Sequence, residues 1–249
     1  MTTVTVTNSQ TGTHIAEIAD GVYRISTPIP PTATGIPGGF SFNQFLIVDD
    51  APLLFHAGMR AIFPLVREAV NRVLPVERLR YVAYSHHEAD EDGAMDEWLQ
   101  VAPQAQALSG TIGVMLQGGE LARPPRALAD GEELSLGGRS VRWIDAPQVP
   151  HGWDCGFLAD TRTRTLFCGD LFTQPGAGNA PLTEGDILTP SEGMRSAMEY
   201  YSHAPQTRAT LEKLAALEPR TLACMHGSAF HGNGSALLRA LADALGTRR

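Results

Sequence analysis

The segment that most constrains this chain follows the apolar run Tyr81-Val82-Ala83-Tyr84-Ser85. It reads His86-His87-Glu88-Ala89-Asp90-Glu91-Asp92-Gly93, so metal-ligating side chains stand at alternate positions directly behind a short strand. In extended backbone, alternate residues share a face, which sets His86, Glu88 and Asp90 to converge. Charge this dense at a strand end is costly unless solvent, a metal or a partner offsets it. Taken alone, the segment reads equally well as a solvated acidic loop, because short motifs match often by chance. Other strand ends shift the balance. Val149-Pro150-His151-Gly152, Phe167-Cys168-Gly169-Asp170 and Cys224-Met225-His226-Gly227 each carry a histidine or an acid beside glycine. Sites in α/β proteins form where the ends of different strands meet.

The remaining sequence interleaves strand and helix patterns. FLIVDDAPLLFHAG reads as a hairpin turning at Asp49-Asp50. Ile62, Leu65, Val66, Ala69 and Val73 lie at helical spacing, which predicts a helix over 61–74. Further helices are predicted at 94–102, 206–217 and 235–245, and strands at 81–85, 140–144, 156–159, 165–168 and 221–225. Such alternation gives an α/β class with helices covering sheet faces. Segments 31–44 and 172–193 are rich in glycine and proline and read as loops. Residues 1–12 are expected to be a flexible lead-in, and 13–249 one domain, a length that a single core can fill.

A net charge of −8 leaves no basic stripe to neutralise phosphates, so nucleic acid is not an expected partner. Nor is an anionic membrane surface. No apolar run approaches the ~20 residues that cross a bilayer, and the polar N-terminus lacks the pattern of a secretory signal. Cys155, Cys168 and Cys224 are an odd number and make no disulfide framework. A reducing, cytoplasmic location is the expectation that follows. Cys168 and Cys224 read as small buried hydrophobes. His87 reads as an exposed or outer-sphere residue, and His14, His203 and His231 as surface or capping residues.

The four motifs together resemble the metallo-β-lactamase superfamily, whose pattern is His-x-His-x-Asp-His, then His, then Asp after glycine, then His before glycine. Two departures stand out: Glu88 occupies the position of the second histidine and Glu91 that of the third. The His-x-Glu-x-Asp version is similar to the diiron branch, the flavodiiron and oxygen-binding diiron proteins. Trp153 and Asp154 after His151, the run TLFCGDLF, and Arg195 with Tyr200-Tyr201 ahead of His226 extend the likeness over about residues 40–230. The resemblance implies a four-layer αββα sandwich (α/β, or α+β) with His86, Glu88 and His151 on one iron. Asp90 and His226 would hold the other, with Asp170 bridging. His56 stands where many superfamily members have the aspartate of Asp-x-Gly, an outer-sphere position. Trp153 is expected to wall the pocket or pack in the core, and Tyr200 or Tyr201 to offer a hydroxyl or pack on a helix.

Three imidazoles with three carboxylates suit iron, with zinc and manganese as alternatives. The expected ligand is dioxygen or nitric oxide, and no catalytic residue is expected beyond the metal centre. Flavodiiron proteins carry a flavodoxin domain after the metal domain. Only 23 residues follow His226, so no FMN domain is expected and turnover would need an external electron-transfer protein. A homodimer is expected by analogy with those relatives. Two other readings stay open: a dizinc hydrolase acting on a lactone, thioester or β-lactam, which Glu88 and Glu91 disfavour, and a non-catalytic oxygen or redox sensor.

Overall fold

The computed structural model describes residues 2–117, 119 and 121–246. Among the described residues, fifteen strands form two sheets. The first sheet runs in chain order through β1 (Val4–Asn8), β2 (Thr13–Ala19), β3 (Val22–Ile29), β4 (Phe40–Ile47), β5 (Leu53–Phe55), β6 (Tyr81–Ala83), β7 (Gln106–Gly110) and β8 (Arg126–Leu128). Its strands are antiparallel from β1 to β5 and parallel from β5 to β8.

The second sheet contains β9 (Glu133–Ser135), β10 (Ser140–Asp145), β11 (Gly156–Asp160), β12 (Thr165–Phe167), β13 (Leu182–Thr183), β14 (Thr221–Ala223) and β15 (Ala229–His231). Their spatial order is β13-β15-β14-β12-β11-β10-β9, with β12 and β14 parallel. The helices are α1 (Pro31–Thr34), α2 (Phe63–Asn71), α3 (Met95–Val101), α4 (Thr111–Gln117), α5 (Leu188–Ala197), α6 (Thr207–Ala215) and α7 (Gly234–Gly246).

Strand alternation builds the layers. Phe45, Ile47, Leu53 and Phe55 meet Trp143, Leu158, Phe167 and Ala223 in a core between the sheets. Their neighbours Leu46, Leu54 and Val82 face the other way, onto Val66 and Val70 of α2 and Trp98 of α3. In the second sheet Leu166, Cys168, Leu222 and Cys224 turn outward onto α6 and α7, where Leu211, Leu214, Leu238 and Leu241 pack on them. Burial of each such side chain is worth about 1.5–3 kcal/mol. The result is the expected αββα order, and both outward-facing cysteines are core residues.

Three expectations are corrected. Val4–Asn8 is not a loose lead-in but an edge strand paired antiparallel to β2, with mostly exposed side chains that hid its pattern. The loop expected over 31–44 includes α1 and ends at Gly39, because Phe40 to Gln44 already pair with β3. The loop expected over 172–193 contains β13 and the start of α5. Pro190 and Gly193 look like breakers, yet Asp186 Oδ1 accepts from Leu188 N at 2.8 Å and Thr189 N at 3.0 Å, capping a helix that has proline in its first turn.

Among the described residues no helix is long and apolar enough to cross a membrane.

Candidate metal centre

The six residues singled out in the sequence follow β6, β10, β12 and β14, four strands whose C-terminal ends open at the same end of the sandwich. Parallel pairing of β12 with β14 sets Asp170 beside His226. His86, Glu88, His151 and Asp170 offer ligand atoms that all lie within 4.8 Å of one another.

Asp170 stands between two groups. Its Oδ2 lies 3.6 Å from His86 Nε2 and 3.3 Å from His151 Nε2, and its Oδ1 lies 3.2 Å from His226 Nε2. Glu88 Oε2 completes the first group, 2.9 Å from His86 Nε2 and 3.4 Å from His151 Nε2. Asp90 Oδ2 completes the second, 3.5 Å from His226 Nε2. Glu88 is half exposed and faces the cleft, whereas His86, Asp170 and His226 are buried.

Each histidine is oriented through its other ring nitrogen. His151 Nδ1 donates to Tyr200 O and His226 Nδ1 to Ser41 O, both at 2.9 Å; a carbonyl only accepts, so each Nδ1 carries a proton. Ser85 Oγ donates to Glu91 Oε2 and therefore accepts from His86 Nδ1 at 2.9 Å. In the neutral tautomer all three Nε2 atoms then present lone pairs to the cluster. His86 Nε2 and His151 Nε2 lie only 3.0 Å apart. Two lone pairs at that distance repel unless a cation, either protons or a metal, lies among them. Asp170 Oδ1 is likewise buried without a hydrogen-bond partner among the described residues. The donor set and its tautomers fit a bound metal.

Electrostatics point the same way. Burial works most strongly against a charged His86, but Glu91, Cys155 and Glu88 together outweigh it and the pKa is raised. His151 and His226 are also raised against burial, His151 by the Glu88 and Asp170 carboxylates together and His226 by those of Asp170 and Asp90. Glu88 is pulled down to about 2 by its hydrogen bonds with His151 and His86. Burial penalises the Asp170 carboxylate, yet His226, His86 and His151 hold its pKa below the usual range. Burial raises Asp90.

Several supporting residues were not read from sequence. Phe40 stacks on His226 with ring centroids 4.3 Å apart, and Phe42 meets its edge at 5.3 Å. Asn43 Nδ2 donates to Cys224 O and Gly227 O, both at 2.9 Å, clamping the backbone on either side of His226. Arg24, fully buried, adds a bond from its NH2 to Gly227 O at 2.7 Å. Glu91 is buried and bonded to the ligand loop itself.

His87 is half exposed, 2.6 Å from Asp92 Oδ2. His14, His203 and His231 stand outside the cluster, beside Gly12 O, Glu199 and Thr221.

The aromatic expectations divide. Tyr200 lines a cavity of about 360 Å³ over the cluster with Ile36, Phe40, Phe42 and Met194, and its buried hydroxyl has no hydrogen-bond partner among the described residues. It follows the end of α5 rather than lying on a helix. Trp153 is 53% exposed and lines a separate small cavity with Pro147 and Cys155, so it neither walls the cleft nor packs in the core. Gly152, at φ +74, turns the chain so that His151 faces inward and Trp153 outward.

Residues 40–227 match the ODP family beta lactamase. Putative diflavin flavoprotein A 1 from Nostoc sp. is 25% identical over 202 residues, 78% of this chain and 34% of that protein. The chain thus spans about a third of this curated relative. Rubredoxin oxygen:oxidoreductase from Desulfovibrio gigas has the same fold, with a TM-score of 0.80 at 22% identity over 92% of this chain and 61% of that one. A fragment (1–254) of putative diflavin flavoprotein A 5 from Nostoc sp. superposes with a TM-score of 0.80 at 19% identity, covering 94% of this chain and 95% of the fragment. With its two-sheet fold and its His, Glu and Asp cluster, the chain belongs to the ODP family of the metallo-β-lactamase superfamily.

Proposed function

We propose that this chain holds two iron ions and binds or reduces dioxygen, or nitric oxide, between them. The observation that carries the reading is the division of five ligand groups about one carboxylate, that of Asp170. His86, Glu88 and His151 gather at Asp170 Oδ2, and His226, with Asp90, at Oδ1. His86, Glu88 and His151 would hold one ion, Asp90 and His226 the other, and Asp170 would bridge them. Mixed imidazole and carboxylate donors suit iron, with zinc and manganese as alternatives. Held by these residues as a ferrous pair, iron would supply two electrons to a diatomic ligand, and turnover would need an external electron-transfer protein.

The chain's own groups orient and enclose that ligand. Ser85, Tyr200 and Ser41 fix the three imidazoles through their Nδ1 atoms, so the Nε2 lone pairs point inward at no further entropic cost. Ile36, Phe40, Phe42 and Met194 keep the cleft apolar and limit water. The Tyr200 hydroxyl is available to donate a hydrogen bond to a bound ligand. A homodimer and a cytoplasmic setting belong to the same proposal.

Oxygen uptake by the iron-loaded protein tests the reading. Sustained uptake with excess reductant fits a reductase, and a single stoichiometric uptake fits a sensor that binds without turnover. No uptake, combined with hydrolysis of a lactone or thioester by the zinc form, would overturn the proposal in favour of a hydrolase.

A further inference from the structure

The two positions at which the sequence departs from the superfamily pattern outside the ligands, His56 and Glu91, face each other. Both side chains are fully buried, with His56 Nε2 3.6 Å from Glu91 Oε1, and neither atom has a hydrogen-bond partner among the described residues. A buried imidazole nitrogen and a carboxylate oxygen left bare together would each lose the full cost of desolvation. Facing each other, the imidazole and the carboxylate offset part of that cost for one another.

The rest of each side chain reaches a different half of the centre. Glu91 uses its other oxygen to collect Ser85 N at 2.9 Å, His86 N at 3.1 Å and the Ser85 hydroxyl that in turn orients His86. His56 sets Nδ1 2.8 Å from the sulfur of Met225, the residue before His226. Its backbone is equally committed. His56 N donates to Ala83 O at 2.8 Å and Ala57 N to Glu91 O at 2.6 Å, and His56 holds φ at +70°, a conformation that histidine, asparagine and aspartate tolerate better than most residues. The ring is therefore wedged between the loop that carries His86, Glu88 and Asp90 and the strand end that carries His226.

We propose that His56 and Glu91 form one positioning pair that joins the two sheets and sets the spacing between the two halves of the metal centre. The pair acts through Ser85, His86 and Met225 and touches no metal. The inference rests on the metal-centre reading above. It makes the two sequence departures a single coupled feature, a carboxylate and an imidazole exchanged between the two positions.

The test is an exchange cycle in the full chain: His56→Asp, Glu91→His, and the double variant. Metal content as isolated, anaerobic Co(II) titration and far-ultraviolet circular dichroism are measured for each. His56→Asp sets two carboxylates against each other, and Glu91→His removes the acceptor of three donors. Each single variant is expected to lose about 10–100-fold in Co(II) affinity, the size of outer-sphere effects. The double variant restores an imidazole–carboxylate pair and is expected to recover at least tenfold over the weaker single variant. Single variants that bind like the wild type, or a double variant no better than the weaker single, would overturn the proposal.

If the exchanged variants do not fold, His56→Asn decides. It tolerates the backbone but cannot bridge Glu91 and Met225, so tenfold weaker binding with an unchanged dichroism spectrum is expected and wild-type affinity would refute the pair. A wild-type chain that binds no metal would overturn the metal-centre reading instead.

Discussion

Asn43→Leu probes the clamp over His226 without touching a ligand. The side chain is fully buried, and its Nδ2 bonds Cys224 O and Gly227 O at 2.9 Å each. Leucine keeps the branched outline of asparagine with bulkier methyl groups, so a modest overpacking cost adds to the lost hydrogen bonds. Gly227 O keeps the Arg24 donor at 2.7 Å and loses one bond of two, about 0.5–1.5 kcal/mol. Cys224 O loses its side-chain donor in a dry core, about 1–3 kcal/mol. Asn43 Oδ1 has no partner among the described residues, so its removal recovers part of that loss. The net expectation is a destabilisation of about 2–3 kcal/mol. For a chain of this size that lowers the melting temperature by roughly 4–12 °C. Calorimetry on metal-free protein measures it, and metal analysis of the same sample should show weaker retention at the Asp90 and His226 half. A change smaller than about 0.5 kcal/mol, the range of an ordinary surface substitution, would refute the clamp.

Other consequences are as open to measurement. Asp170→Asn keeps the shape but removes the charge shared by the two groups, and should cost one of two metals per chain or at least tenfold in affinity; full retention by elemental analysis would contradict the bridging role. Because the pKa values of His86, His151 and His226 are raised, protons compete with metal for these sites. Metal affinity should therefore fall as pH is lowered, and metal addition to metal-free protein near pH 7 should release protons to an indicator dye; no release would count against the site. Burial pushes the Cys155 thiol up to about 11 and Cys168 well above its ordinary range, and all three cysteines are buried and free. None should react with a thiol reagent in the native state, while all react in denaturant.

The site was more legible than the fold around it. His86, Glu88 and Asp90 stood out by their alternation behind a strand, and His151, Asp170 and His226 by standing beside glycine at strand ends; the structure brings all six together. The strands β2 and β3 escaped because their polar positions break the alternation: Arg24, Ser26 and Thr27 are buried in β3. Helix α5 was masked by Pro190, which is permitted in a first turn when Asp186 caps it. Nothing local marks Ser41, Asn43 or Tyr200 as supports for the ligands, since two act through backbone carbonyls and the third bonds a segment some 180 residues away in the chain. Glu91 and His56 were visible as departures, but their meeting depends on the packing of β5 against the ligand loop, which no single sequence displays.

The most direct measurement is the metal content of the full chain isolated without oxygen, followed by the visible spectrum of the ferrous protein on admission of air. The expected result is about two irons per chain and a new charge-transfer band. Two zincs per chain with no spectral change would contradict it.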